Sequence, residues 1–325
     1  MKRLLVVLLL FAGTALAQTL TVYSGRNEAF VEPVVESFTA ATGIEVEVRY
    51  GDTAELAATI LEEGQNSPAD VFLAQDAGAL GALSKAGLFT ELPDTILGKV
   101  EPRFRSPEGL WVGVTGRARV LAYNTGAYTP ETLPQSIFDL TDEAYRGRVG
   151  WAPTNGSFQA FVTAMRVLEG DDRTREWLTG MMANGVQVYP DNSSQLEAIS
   201  RGEIDLGLVN HYYLYRYLAE QGEAFAVRNH YFRDADLGSL INVAGAGILK
   251  TTDQPEEAQR FVAYLLGQSA QAHFTDEVYE YPLVSGIATN ELLLPLSEVQ
   301  TPELDLSNLD DLEGTLELLS EVGAL

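Results

Sequence analysis

Hydrophobic positions recur along this chain with two alternating periods, and the alternation predicts the fold class. Leu20-Thr21-Val22-Tyr23 reads as a short strand, and Ser24-Gly25-Arg26-Asn27 as a polar turn leading into a helix. Over residues 28–41, Phe30, Val34, Val35 and Phe38 form one helical stripe, which Thr42-Gly43 stops. Residues 44–50 then alternate apolar and polar, as a half-buried strand does. A second helix is predicted over residues 53–63, capped by Asp52 or Thr53 and ended by Gly64. The unit repeats with a buried strand at 70–73, a turn at Ala74-Gln75-Asp76 and a helix at 77–86. Strands that alternate with helices imply an α/β protein whose mostly parallel sheet carries crossover helices on its faces.

The pattern lapses between Leu92 and Leu110, where Pro93, Pro102 and Pro107 give connector composition. Residues 111–123 restart as a long strand interrupted at Gly116, long enough to pass from one lobe into another. A second lobe then holds a strand at 149–151, the turn Pro153-Thr154-Asn155-Gly156-Ser157, and helices at 158–168 and 171–182. A strand at 186–189 and a helix at 192–201, capped by Asn192 or Ser193, come next. Residues 205–209 form the strand that delivers Asn210-His211-Tyr212-Tyr213-Leu214-Tyr215-Arg216-Tyr217. Residues 239–249 make a second crossing segment, 255–267 a helix, and the acidic tail at least one more. The expected division is a first lobe of residues 18–115 and 240–285 and a second of 116–239 and 286–325.

Composition narrows the class. A chain of 325 residues is large for one small core and suits two lobes. Lys2-Arg3, the apolar run that follows and Ala15-Leu16-Ala17 predict a secretory signal over residues 1–17. With no cysteine there are no disulfides, thiolate metal sites or lipid-anchored cysteine. The formal net charge of −25 argues against nucleic acid as a partner and for a solvated, repulsive surface. Walker, Gly-x-Gly-x-x-Gly, His-Glu-x-x-His and Gly-x-Ser-x-Gly motifs are all missing from the sequence. An exported, monomeric binding protein rather than an enzyme is the expectation.

Candidate chemistry centres on the tyrosines. Adjacent Tyr212 and Tyr213 point to opposite faces of a strand, but in the first turn of a helix they diverge by only about 100°. Two phenol oxygens side by side then suit a hard cation, which prefers oxygen ligands and displaces their protons. An aromatic cluster is more often core filling or a sugar-stacking platform, and the tyrosines also suit a stacking wall for an organic or oxyanion solute. A secreted carbohydrate-active enzyme with paired carboxylates is the rival of another class. The remaining polar turns lie at strand ends, where open α/β sheets gather their ligand crevice.

Taken together, several motifs resemble the periplasmic ferric-ion-binding proteins, soluble receptors of ABC-type iron importers. They are Val22-Tyr23-Ser24-Gly25, Ser67-Pro68-Ala69-Asp70-Val71-Phe72, Gly116-Arg117-Ala118-Arg119-Val120, Ala152-Pro153-Thr154-Asn155-Gly156-Ser157-Phe158, Gly202-Glu203-Ile204-Asp205, Asn210-His211-Tyr212-Tyr213 and Glu280-Tyr281-Pro282-Leu283. The resemblance implies the two-lobed type II periplasmic-binding-protein fold, with two crossing hinge strands. It further implies Fe³⁺ held by Tyr212 and Tyr213 as phenolates, carbonate or phosphate as a synergistic anion, and delivery to an inner-membrane ABC permease. The anion pocket maps to Asn155, Gly156 and Ser157 with Asn192 and Asn210, and Arg26 and Arg117 are the candidate arginines. Where better-known members carry a first-turn histidine and a glutamate after the third strand, this chain has Asn27 and Gln75. A tyrosine that some members carry in the turn at 154–156 is also missing. The first lobe is therefore left with Asn27, Glu28, Gln75 and Asp76 as possible contacts.

Overall fold

Two sheets share one long strand. The computed structural model describes residues 19–325, so the predicted signal segment lies outside the described residues. Its strands are β1 (Leu20–Ser24), β2 (Val46–Tyr50), β3 (Val71–Ala74), β4 (Val112–Asn124), β5 (Val149–Trp151), β6 (Gln187–Val188), β7 (Leu206–Asn210), β8 (Val227–His230), β9 (Ile241–Ile248) and β10 (Tyr281–Pro282). The helices are α1 (Glu28–Thr42), α2 (Thr53–Glu63), α3 (Ala77–Lys85), α4 (Asp94–Leu97), α5 (Gly156–Glu169), α6 (Asp171–Ala183), α7 (Asn192–Ser200), α8 (Tyr212–Gln221), α9 (Pro255–Leu265), α10 (Gln268–Asp276) and α11 (Leu312–Glu321).

The strand order is β2-β1-β3-β9-β4-β7-β5-β6, with β8 and β10 also paired to β4. β1 runs parallel to β2 and β3, and β5 runs parallel to β6 and β7. β9 is antiparallel to both β3 and β4. The change of sheet falls between two adjacent residues of β4: pairing with β9 ends at Ala118, opposite Ile241, and pairing with β7 starts at Arg119, opposite Asn210. Both expected crossing segments are thus β-structure, and they meet beside the tyrosine turn.

β4 is continuous through Gly116, contrary to expectation; its irregularity is a register shift between Gly113 and Thr115. Gly116 serves packing instead. A β-carbon there would lie 3.0 Å from Leu283 Cδ2 and 3.3 Å from the Tyr281 β-carbon, the two residues that press β10 onto β4. The cap of α7 is Asp191 rather than Asn192 or Ser193, because Asp191 and Ser194 form a reciprocal capping box. The short strands β8 and β10 escape sequence reading, since a few residues joined only to β4 carry no alternation.

The helices end where local chemistry dictates. Asn27 caps α1 by accepting from the Ala29 N–H at 2.9 Å, and Gly43, at φ 72°, closes it in the left-handed region. The buried stripe of α1 is Val31, Val34, Val35 and Phe38, and Phe38 meets Phe261 edge-on at 5.1 Å. Under α5, Trp151, Phe158, Phe161 and Trp177 form one edge-to-face cluster, which fixes the start of that helix.

The C-terminal segment touches both sides of the molecule. Residues Leu306–Asp310 lie on α3, with the Asp310 carboxylate 2.6 Å from Lys85 Nζ. α11 lies on α5, where Thr315 and Thr163 share a buried hydroxyl contact of 2.8 Å. α3 accepts the segment because it lacks side chains there. A β-carbon at Gly81 would stand 2.5 Å from the Ser307 carbonyl oxygen, and one at Gly78 would strike that of Leu309. Gly78→Ala should therefore destabilise the protein by about 1–3 kcal/mol, measured by denaturant unfolding.

Candidate functional site

β7 is buried along its whole length and aims the tyrosine turn at the boundary between the sheets. The Asn210 N–H donates to Asn192 Oδ1 at 3.0 Å, and the His211 N–H donates to the Ala118 carbonyl at 3.0 Å. Tyr212 and Tyr213 open α8 as expected, and their rings stack with centroids 4.4 Å apart and planes at 26°. Tyr212 is buried and Tyr213 half-buried. Burial, the neighbouring Tyr212 and its hydrogen bond raise the Tyr213 pKa far above the ordinary phenol value, against the pull of Arg117 and Arg26. Tyr215 stacks on Tyr279 at 5.6 Å and Tyr217 on Phe225 at 4.8 Å, so both pack instead of facing the ligand turn.

Facing this pair is the N-terminus of α5. Asn155 caps it by accepting from the Ser157 N–H at 3.1 Å, which leaves the first-turn amides and the positive end of the helix directed at the cleft. A cavity of about 650 Å³ there is lined by Asn155, Gly156, Ser157, Asn210 and Tyr213, with Gln75 and Asp76 on its far wall. A second, more open cavity of about 730 Å³ is lined by Arg26, Asn27, Glu28, Gln75, Tyr212 and Tyr213. Tyr213 and Gln75 border both cavities, so the candidate site lies where they join. Asn192 borders neither; its side chain instead holds the main chain of Asn210.

Two buried guanidiniums stand behind the turn. Arg117 is 1% exposed, and none of its three guanidinium nitrogens has a hydrogen-bond partner among the described residues. Arg119, on the same face of β4, donates to the Leu208 carbonyl at 3.3 Å and to the Ser157 carbonyl at 2.5 Å. Neither has a carboxylate within ion-pair distance among the described residues. Burial, then the neighbouring Arg117, lowers the Arg119 pKa to about 9. Together with Ser157 and Asn210 they line a void of about 10 Å³. This concentration of buried positive charge favours anions in front of it.

The first-lobe candidates are differently engaged. Arg26 Nη1 and Nη2 donate to the two oxygens of Glu280 at 2.9 and 2.8 Å, and Nη1 also donates to Gln75 Oε1 at 3.0 Å. Asn27 and Asp76 act as helix caps, Asp76 accepting from the Gly78 and Ala79 N–H groups at 3.0 and 3.3 Å. Burial raises the Asp76 pKa, while Arg117 and those amides oppose the rise. Glu28 is exposed at the rim. Among the described residues no group of three or more His, Cys, Asp or Glu is placed to hold a metal ion. A cation here therefore depends on the phenols.

Sequence reasoning missed Arg119 and Glu280 as parts of the site. An Arg-x-Arg pair inside an apolar strand was the available signal for the first, since alternate residues share a face. Glu280 stood out only within the Glu280-Tyr281-Pro282-Leu283 motif, and nothing local showed that it reaches Arg26 across 254 positions.

Two sheets that exchange strands at a ligand cleft define a solute receptor, and the chain belongs to the bacterial extracellular solute-binding proteins, whose family profile matches residues 20–280. Its fold is that of the type II periplasmic binding proteins. Within the family it groups with the periplasmic ferric-ion-binding proteins. It is 33% identical over 310 residues to the Fe(3+)-binding periplasmic protein of Serratia marcescens, covering 95% of this chain and 91% of that protein. It is 34% identical over 319 residues to the major ferric iron-binding protein of Neisseria meningitidis serogroup A, covering 97% and 96%. The crystal structure of iron-bound HitA from Pseudomonas aeruginosa superposes with a TM-score of 0.88 at 38% identity, covering 94% of this chain and 99% of that one. These are solute-binding proteins and not enzymes, which sets aside the carbohydrate-active alternative.

Proposed function

We propose that this protein captures ferric iron in the periplasm, with Tyr212 and Tyr213 as phenolate ligands, and passes it to an ABC permease as the soluble component of an iron importer. The observation that carries this is the stacked phenol pair at the start of α8, 4.4 Å between ring centroids, in front of two buried arginines that lack acid partners. Ferric ion is hard and takes oxygen donors. Two phenolates leave coordination positions for an exogenous anion, carbonate or phosphate. The unpartnered guanidinium of Arg117 and the α5 N-terminus with Asn155, Gly156 and Ser157 offer that anion its donors. Asn192 contributes by holding Asn210 at the pocket wall. Arg26, tied to Glu280, supports the first turn and retains donor capacity toward the cleft. On this reading the lobes divide at β4 and β9 and close over the ion as a monomeric hinge machine.

The test is direct. Purified protein mixed with ferric citrate and bicarbonate should develop a visible phenolate-to-iron charge-transfer band, and an absence of any band would sink the proposal. Acid should reverse the capture. Tyr213 is held protonated by burial until a cation arrives, so binding releases protons. The apparent affinity should fall by about one log unit per pH unit for each phenol that ionises. Titration of the band between about pH 8 and pH 6 measures that slope; a flat profile would count against phenolate ligation.

A further inference from the structure

We infer that His211 is a positioning residue for the tyrosine pair, locking α8 to β4 and to the turn that precedes β10 through the two nitrogens of a neutral imidazole. This rests on Tyr212 and Tyr213 being the iron ligands. His211 is fully buried and precedes Tyr212 directly. Its Nδ1 accepts from the Ala118 N–H at 3.1 Å, so the ring proton sits on Nε2, which donates to the Tyr279 carbonyl at 2.9 Å. The ring stacks on Tyr281 with centroids 4.6 Å apart and planes at 18°. Its main chain is held as firmly: the N–H donates to the Ala118 carbonyl at 3.0 Å, and the carbonyl accepts from Asn229 Nδ2 at 2.9 Å.

The partners give these bonds their meaning. Ala118 is the last residue of β4 paired with β9 and lies between Arg117 and Arg119. Tyr279 is a non-glycine residue at φ 61°, a backbone state that L side chains rarely hold without outside support, and His211 grips its carbonyl. The next residue, Glu280, binds Arg26 and through it Gln75. A chain of contacts thus runs from Tyr212 through His211, Tyr279 and Glu280 to the first turn of the opposite lobe. His211 is no ligand, since both nitrogens are engaged away from the cleft. It fixes where the phenols stand relative to the guanidiniums and to the first lobe.

The test uses the full-length mature protein with ferric citrate and bicarbonate as the probe. His211→Phe keeps the stack on Tyr281 and removes both nitrogens; His211→Asn keeps an acceptor close to the Ala118 amide but is too short to reach Tyr279. We expect each folded variant to bind iron about 10–100-fold more weakly, as loss of a group behind a metal ligand does, with the charge-transfer band displaced from its wild-type maximum. A lower melting temperature with unchanged band and unchanged affinity would show a merely structural residue and overturn the inference. Should His211→Phe fail to fold, His211→Asn decides by the same two readouts. A wild-type protein without any band would instead refute phenolate ligation, so the two failures are distinguishable.

Discussion

Replacing Tyr212 and Tyr213 together by phenylalanine should abolish the visible iron band while leaving the fold intact. The physical reason is that the phenol oxygen is the only atom lost, and the rings keep their stack at 4.4 Å. Among the described residues the hydrogen bond of the Tyr213 hydroxyl is to Tyr212 in the same helix, so unfolding free energy should change little. Iron affinity should drop by more than about 100-fold for either single variant, because even groups standing behind a ligand cost about 10–100-fold when removed. Competition against citrate measures this. Undiminished iron binding in the double variant would refute the ligand assignment outright.

Glu280→Ala should be the most damaging single change to stability. Arg26 and Glu280 have side chains 2% and 0% exposed, and the carboxylate also accepts from Thr115 Oγ1 at 2.5 Å. Removing one partner of such a pair leaves a buried charge uncompensated and costs about 3–5 kcal/mol. In a chain of this size that lowers the melting temperature by roughly 10 °C. Replacing both partners by apolar residues, as in Arg26→Met with Glu280→Leu, should restore much of the loss. A single variant that melts within a degree or so of wild type would contradict the assignment. The sign of the pH effect follows from the same pair. Burial pushes the Glu280 pKa up, but Arg26, Arg117 and the hydrogen bonds from Arg26 and Thr115 prevail, so it lies below the ordinary carboxylate value. Its stabilisation is therefore complete above about pH 4.3, the unfolded value, and is lost as pH falls through the lower folded one.

Much of the candidate site was legible because it is made of local features. The Tyr212-Tyr213 turn follows a buried strand, and the turn at Asn155 opens a helix, so each announces itself within ten residues of chain. The long strand at residues 112–124 was legible as a crossing for the same reason. What failed was local competition: Asp191 outcompeted Asn192 as a cap because Ser194 completes its box, and Gly116 proved to be a packing contact rather than a break. The hydrophobic pattern does not encode which polar neighbour wins such contests.

The sequence by itself determined the α/β class, the positions of the crossing segments, the paired phenols at a helix start and the acidic, cysteine-free character of the chain. These depend on period, propensity and composition, which act over short stretches. Only the tertiary structure decided that Arg117 is left without a partner while Arg26 is claimed by Glu280, that Arg119 joins it behind Ser157, and that His211 faces away from the cleft to bind Ala118 and Tyr279. Each of these follows from contacts between residues far apart in the chain, and the energy of a buried charge or polar group is set by what surrounds it, not by what precedes it.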